Sequence, residues 1–115
     1  MGDHQALLTR LYEAFNRKDI EAVVAHLHPE IDWPNLFGEG RLHGRDALRT
    51  MWREQFSRIN PEATPISFTE QPDGGLKVEI AYVVRTLDGK LFTEELATNI
   101  YHFRDGLVLS MDWGD

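Results

Sequence analysis

LKVEIAYVVRTLDGKLFTEELATNIYHFRDGLVLSMDW, residues 76–113, decides how the chain folds. Its side chains alternate between apolar and polar with a period of two, the pattern of strands with one buried face. Asp88-Gly89 and Arg104-Asp105-Gly106 interrupt the alternation with residues suited to tight turns. Three strands follow, over 76–87, 91–103 and 107–113, joined as an antiparallel meander.

The turns also predict which side chains share a face. If Asp88-Gly89 is a two-residue turn, Leu87 pairs with Lys90, which sets Val78 opposite Asn99, Ile80 opposite Ala97 and Tyr82 opposite Glu95. One face then holds Val78, Ile80, Tyr82, Val84, Glu95, Ala97, Asn99, Tyr101 and Phe103. A three-residue turn at 104–106 with Gly106 as the bulge residue adds Leu107, Leu109, Met111 and Trp113, collecting the apolar residues inside. Ala81, Val83, Phe92, Leu96 and Ile100 fall on the opposite face, more apolar than a monomer normally exposes. A homodimer through this outer sheet face is the expected cover.

Upstream, Pro65–Gln71 reads as a further strand, ended by the turn residues PDGG at 72–75. Before it the period is helical. Leu7, Leu8, Leu11, Tyr12 and Phe15 form one stripe, with Arg10, Glu13 and Asn16 on the other side. Asp19 is placed to cap a second helix that buries Ile20, Val23, Val24 and Leu27. Leu48, Met51, Trp52, Gln55, Phe56 and Ile59 mark a third, stopped by Pro61. Helices followed by a meander make an α+β fold: three N-terminal helices packed on a mostly antiparallel sheet.

With 115 residues, the chain suits a single domain spanning 1–115. Hydrophobic residues at 42% and charged residues at 27% are those of a globular domain rather than a disordered one. A formal net charge of −7, with scattered Lys and Arg, argues against nucleic acid or an anionic membrane as partner. No apolar run approaches a membrane span and MGDHQALLTR lacks the features of a secretory signal, so a cytoplasmic location is expected. The absence of cysteine excludes disulfides and thiolate chemistry.

LYEAFNRKDIEAVVAHLHPEIDWPN, LHGRDALRTMW and LDGKLFTEELATNIYHFRDGLVLSMDW together resemble the SnoaL-like proteins of the nuclear transport factor 2-like superfamily, over nearly the whole chain. The resemblance implies an α+β cone with a curved sheet, a short strand within HPEIDWPNLF (28–37) and a hydrophobic pocket. It leaves activity open, because this fold hosts isomerases, cyclases, dehydratases, epoxide hydrolases and pure binding modules. The base and two oxyanion-hole positions of ketosteroid isomerase correspond to Trp33, Leu11 and Asn99 here, so that chemistry is disfavoured and only Asn99 retains a polar group. With Trp33 inward, strand parity turns Asp32 away, as a surface or capping residue. Met111-Asp112-Trp113-Gly114-Asp115 is similar to a W-D-x-x-D ending of other relatives, which makes Asp115 a reserve catalytic candidate; Asp32, the acid before Trp33-Pro34, is the other reserve. The Asp-Arg-Asp set of the epoxide hydrolases finds no inward arginine between two acids.

Glu95 and Asn99 are the first catalytic candidates. A carboxylate on the concave face would be desolvated and tuned toward acid–base work; alternatively Glu95 serves a structural bond to Tyr82 or Arg53. Tyr12, Phe15, Trp33, Phe37, Trp52, Phe56, Tyr82, Tyr101, Met111 and Trp113 are the expected ligand-binding lining, with Trp33, Phe37 and Trp113 nearest the opening. The five histidines lack ligand spacing and predict no metal site; His28 suits loop packing or the pocket rim. GEGRLHG (38–44) does not have dinucleotide-loop spacing, and no cofactor is expected. The expected function is binding of an apolar small molecule bearing a carbonyl or hydroxyl, with cofactor-independent isomerase, cyclase or hydrolase chemistry. The alternative is a non-catalytic dimeric ligand-binding or assembly module.

Overall fold

The computed structural model describes residues 2–114, which form three helices and six strands. In chain order these are α1 (Gly2–Asn16), α2 (Ile20–Val24), β1 (Leu27–Pro34), β2 (Arg41–His43), α3 (Arg45–Arg58), β3 (Asn60–Glu70), β4 (Leu76–Arg85), β5 (Leu91–Arg104) and β6 (Leu107–Trp113). The strands make one sheet in the order β2-β1-β6-β5-β4-β3, antiparallel except for the parallel β1–β6 pair. The chain is thus α+β, as its changing period predicts.

The helices cover one face of this sheet. Leu7, Leu8 and Leu11 of α1, Val23 and Val24 of α2, and Leu48, Met51 and Trp52 of α3 share a core with Val78, Ile80, Tyr101, Val108 and Met111. Each fully buried aliphatic side chain here contributes about 1.5–3 kcal/mol relative to an exposed one. Asp19 caps α2 as expected, accepting a bond from the Ala22 amide at 3.2 Å. That helix ends at Val24, and Leu27 buries itself as the first residue of β1 instead.

Register along β4 and β5 matches the hairpin arithmetic: Val78 lies opposite Asn99, Ile80 opposite Ala97 and Tyr82 opposite Glu95. The turn is nevertheless longer than two residues. Gly89 donates its amide to Thr86 O at 3.0 Å and Thr86 donates to Lys90 O at 2.8 Å, leaving Leu87, Asp88 and Gly89 as the loop. A bulge at Phe92 restores the register beyond Arg85.

The next hairpin compensates in the same manner. Arg104 pairs with Leu107, so the turn is the two-residue Asp105-Gly106, both at positive φ (55° and 76°), rather than a three-residue turn. Leu109 is then the extra residue of a bulge, and Val108, fully buried, sits opposite Phe103. This corrects the inward assignment of Leu107 and Leu109, while Met111 opposite Tyr101 and Trp113 opposite Asn99 keep theirs.

Strand β3 begins earlier than Pro65, directly after α3. As an edge strand it tolerates Pro61 and Pro65, which have no amide to donate to a further neighbour. Asn16 is not a solvent-facing residue of α1: its Nδ2 donates to Ala63 O at 2.9 Å and its Oδ1 accepts from Ala63 N at 2.8 Å. This amide ties the end of α1 to the sheet edge. Among the described residues no helix is long and apolar enough to cross a membrane.

Candidate functional site

Between α1, α3 and the concave face of the sheet lies a cavity of about 510 Å³. Helical spacing aims Leu11, Tyr12 and Phe15 of α1, and Met51, Trp52 and Gln55 of α3, toward it. Strand parity brings Trp33, Ile80, Tyr82, Glu95, Asn99, Tyr101, Met111 and Trp113 from the other side. The walls are mainly apolar and rich in aromatic rings: Trp33 meets Trp52 edge-on at 5.4 Å and lies tilted against Tyr101 at 6.0 Å.

One polar cluster interrupts this apolar wall. The Tyr12 and Tyr101 hydroxyls are 2.5 Å apart, and Asn99 Nδ2 donates at 3.4 Å to each. Burial first, then the adjacent Tyr101, raises the Tyr12 phenol well above its ordinary range. Burial pushes Tyr101 up to about 12. Both are therefore neutral at ordinary pH. One hydroxyl proton is consumed between them, and the other is available to an oxygen acceptor in the cavity.

A second polar group sits where α3 faces β4. Gln55 Nε2 donates to Tyr82 OH at 3.1 Å. Burial raises the Tyr82 phenol, the Gln55 bond opposes this, and the negative charge of Glu95 raises it further. Gln55 was readable as a polar residue inside the apolar stripe of α3, the signal that marks it as more than core.

Glu95 lines the cavity but is exposed. The expected desolvation is absent because the carboxylate stands at the mouth of the pocket rather than on its floor. It also lies four residues from Asn99 on one strand, about 13 Å at roughly 3.3 Å per residue. Glu95 and Asn99 therefore stand at separate parts of the cavity, too far apart to meet at one carbonyl and its adjacent carbon.

Tyr12, Phe15, Trp33, Trp52, Tyr82, Tyr101, Met111 and Trp113 are brought together as lining residues, Trp113 being 61% exposed at the edge. Phe37 and Phe56 do not line this cavity. Phe37, 48% exposed, packs its ring under the Arg58 guanidinium at 5.3 Å in a separate surface groove, because β2 and the preceding loop carry it outward. Phe56 turns sideways against Phe15 at 5.4 Å and under Lys18 Nζ at 5.5 Å.

Asp32 faces away from the cavity, bonded to Arg41 Nε at 2.7 Å. Arg41 also binds Asp112 at 2.9 Å and the Met111 carbonyl at 2.6 Å. An arginine between two aspartates thus exists, but on the outer side, clamping β2, β1 and β6. Asp115 lies outside the described residues. His28 is buried away from the cavity, its Nδ1 accepting from the Glu30 amide at 3.0 Å. Among the described residues no group of three or more His, Cys, Asp or Glu is placed to hold a metal ion.

The SnoaL-like domain family matches residues 8–111. Among curated protein sequences none matches significantly. An NTF2-like protein of unknown function from Burkholderia pseudomallei superposes with a TM-score of 0.83 at 21% identity, covering 99% of this chain and 91% of its own. TerC, crystallised with polyporic acid, gives 0.82 at 21% identity over 96% and 89%. An epoxide hydrolase of the LEH-like type from M. tuberculosis gives 0.80 at 16% identity over 96% and 80%. At these identities the structures establish a shared fold, and the match over most of the sequence establishes the family: the chain belongs to the SnoaL-like domain proteins.

Proposed function

We propose that the cavity binds an apolar aromatic compound through a carbonyl oxygen, held by the Tyr12–Tyr101–Asn99 cluster. The observation that carries this reading is that cluster: neutral donors gathered on the wall of a largely apolar cavity. The co-crystallisation of TerC with polyporic acid supports small-molecule binding in a cone of this shape. In the enzymatic form of the proposal, Glu95 takes a proton from a carbon near the mouth while conjugation passes the electron pair to the distant carbonyl oxygen, stabilised by the phenols. That form needs no cofactor.

The test is a thermal-shift and titration series with apolar aromatic ketones on the wild type and Tyr101→Phe. Binding raises the melting temperature by mass action, and loss of one donor hydroxyl weakens it by about tenfold, roughly 1–1.5 kcal/mol. Absence of any shift across the ketones refutes the reading. Turnover that survives Glu95→Gln refutes its enzymatic form alone.

A second reading, a dimeric non-catalytic binding or assembly module, is supported by the outer sheet face. There Leu96 is 76% exposed, with Phe92 also exposed and Ala81, Val83 and Ile100 half-buried beside it. A homodimer through this face is compatible with either reading.

A further inference from the structure

We propose that the ligand must carry a hydrogen-bond donor, a hydroxyl on the ring system remote from its carbonyl, and that Gln55 Oε1 receives it. The inference rests on the carbonyl-binding reading above and adds a second, separate recognition point. Gln55 is 4% exposed and lines the cavity, and its Oε1 is a buried side-chain atom without a hydrogen-bond partner. An amide oxygen in such a place has lost water and gained nothing in exchange, unless something entering the cavity supplies a proton.

The neighbours favour one direction of the amide. Tyr82 OH accepts from Gln55 Nε2, and Glu95 stands directly opposite Tyr82 across β4 and β5. A carboxylate only accepts, so it favours the Tyr82 proton turning its way and Tyr82 presenting its lone pair to Gln55. Gln55 itself lines the cavity, and Oε1 is the atom of its amide left without a partner. The two recognition points also differ in sign. Tyr12, Tyr101 and Asn99 offer donors to a carbonyl, whereas Gln55 offers an acceptor to a hydroxyl. A phenolic aromatic ketone satisfies both ends; the same ketone capped as a methyl ether satisfies only one and buries Oε1 against a methyl group.

The discriminating experiment is calorimetric titration with matched sets of flavone and anthraquinone, each as the parent ketone, its monohydroxy derivatives and the corresponding methyl ethers. Wild-type protein is expected to bind at least one hydroxyl derivative about tenfold more tightly than its ether, and Gln55→Leu is expected to reduce that ratio to about one while still binding the parent. Gln55→Met replaces it should the leucine variant fail to fold. Equal affinities of phenols and ethers in the wild type, as a water retained at Oε1 would produce, overturn the inference and leave the carbonyl site standing. Retention of the tenfold ratio in the variant also overturns it. Failure of every parent, phenol and ether to bind overturns the carbonyl reading and the inference together.

Discussion

Tyr101 is the residue on which most of the site converges. It touches Trp33, shares a hydrogen bond with Tyr12 and stands opposite Met111. Its folded-state value of about 12, against an ordinary 10.0, makes stability depend on pH in a definite direction. Below pH 10 both folded and unfolded phenols are protonated and the contribution is complete. Between about pH 10 and 12 only the unfolded chain loses its proton, so stability falls by roughly 1.4 kcal/mol per pH unit for this group. Tyr12 acts in the same direction. Urea unfolding from pH 8 to 12 should show this decline, and Tyr101→Phe should flatten it; an unchanged slope in the variant would assign the decline elsewhere. Tyr12 and Tyr101 were legible from the sequence as inward aromatics, but their contact joins residues 89 positions apart, and no local pattern encodes the meeting of two hydroxyls. Glu95 shows the converse: its face was readable, its depth was not.

At the scale of elements, the two hairpins show how register survives local irregularity. Each turn differs by one residue from the sequence expectation, and each is followed by a single-residue bulge, at Phe92 and at Leu109. Burial of Val78, Ile80, Tyr101 and Met111 penalises a slipped strand far more than a bulge does. Gly106→Ala places a Cβ at a φ of 76° and should destabilise the domain by about 1–2 kcal/mol in urea unfolding. Arg41 is the second device at this scale. The parallel β1–β6 pairing is irregular between Leu27 and Asp32, and the Arg41 guanidinium holds the two strands together past that stretch through Asp32, Asp112 and the Met111 carbonyl. Arg41→Ala should lower stability by about 1–3 kcal/mol, given bonds to charged groups that are partly solvated. Ligand affinity should change little, because Arg41 does not line the cavity. A large affinity loss with unchanged stability would contradict the structural role.

For the whole molecule, the concave and outer faces of one sheet make separate demands. The concave face is closed by α1 and α3 except at a mouth edged by Leu36, Glu95 and Trp113. The outer face carries the exposed Leu96 and Phe92. If two copies cover that face mutually, sedimentation at micromolar concentration should give twice the chain mass, and Leu96→Lys should return it to a monomer with unchanged secondary structure. A monomeric wild type would remove the homodimer proposal.

The sequence by itself determined the three helices, the strand meander after them and the inward faces of β4 and β5. These follow from periods of 3.6 and 2 and from turn residues, which are properties of neighbouring positions. Only the tertiary structure decided that Glu95 stands at the mouth, that Phe37 and Phe56 leave the cavity, and that Gln55 Oε1 is buried without a partner. Depth, closure and hydrogen-bond satisfaction depend on what distant segments bring to the same place. Curvature of the sheet and the seating of α3 against it set those quantities, and neither is written in any one stretch of the chain.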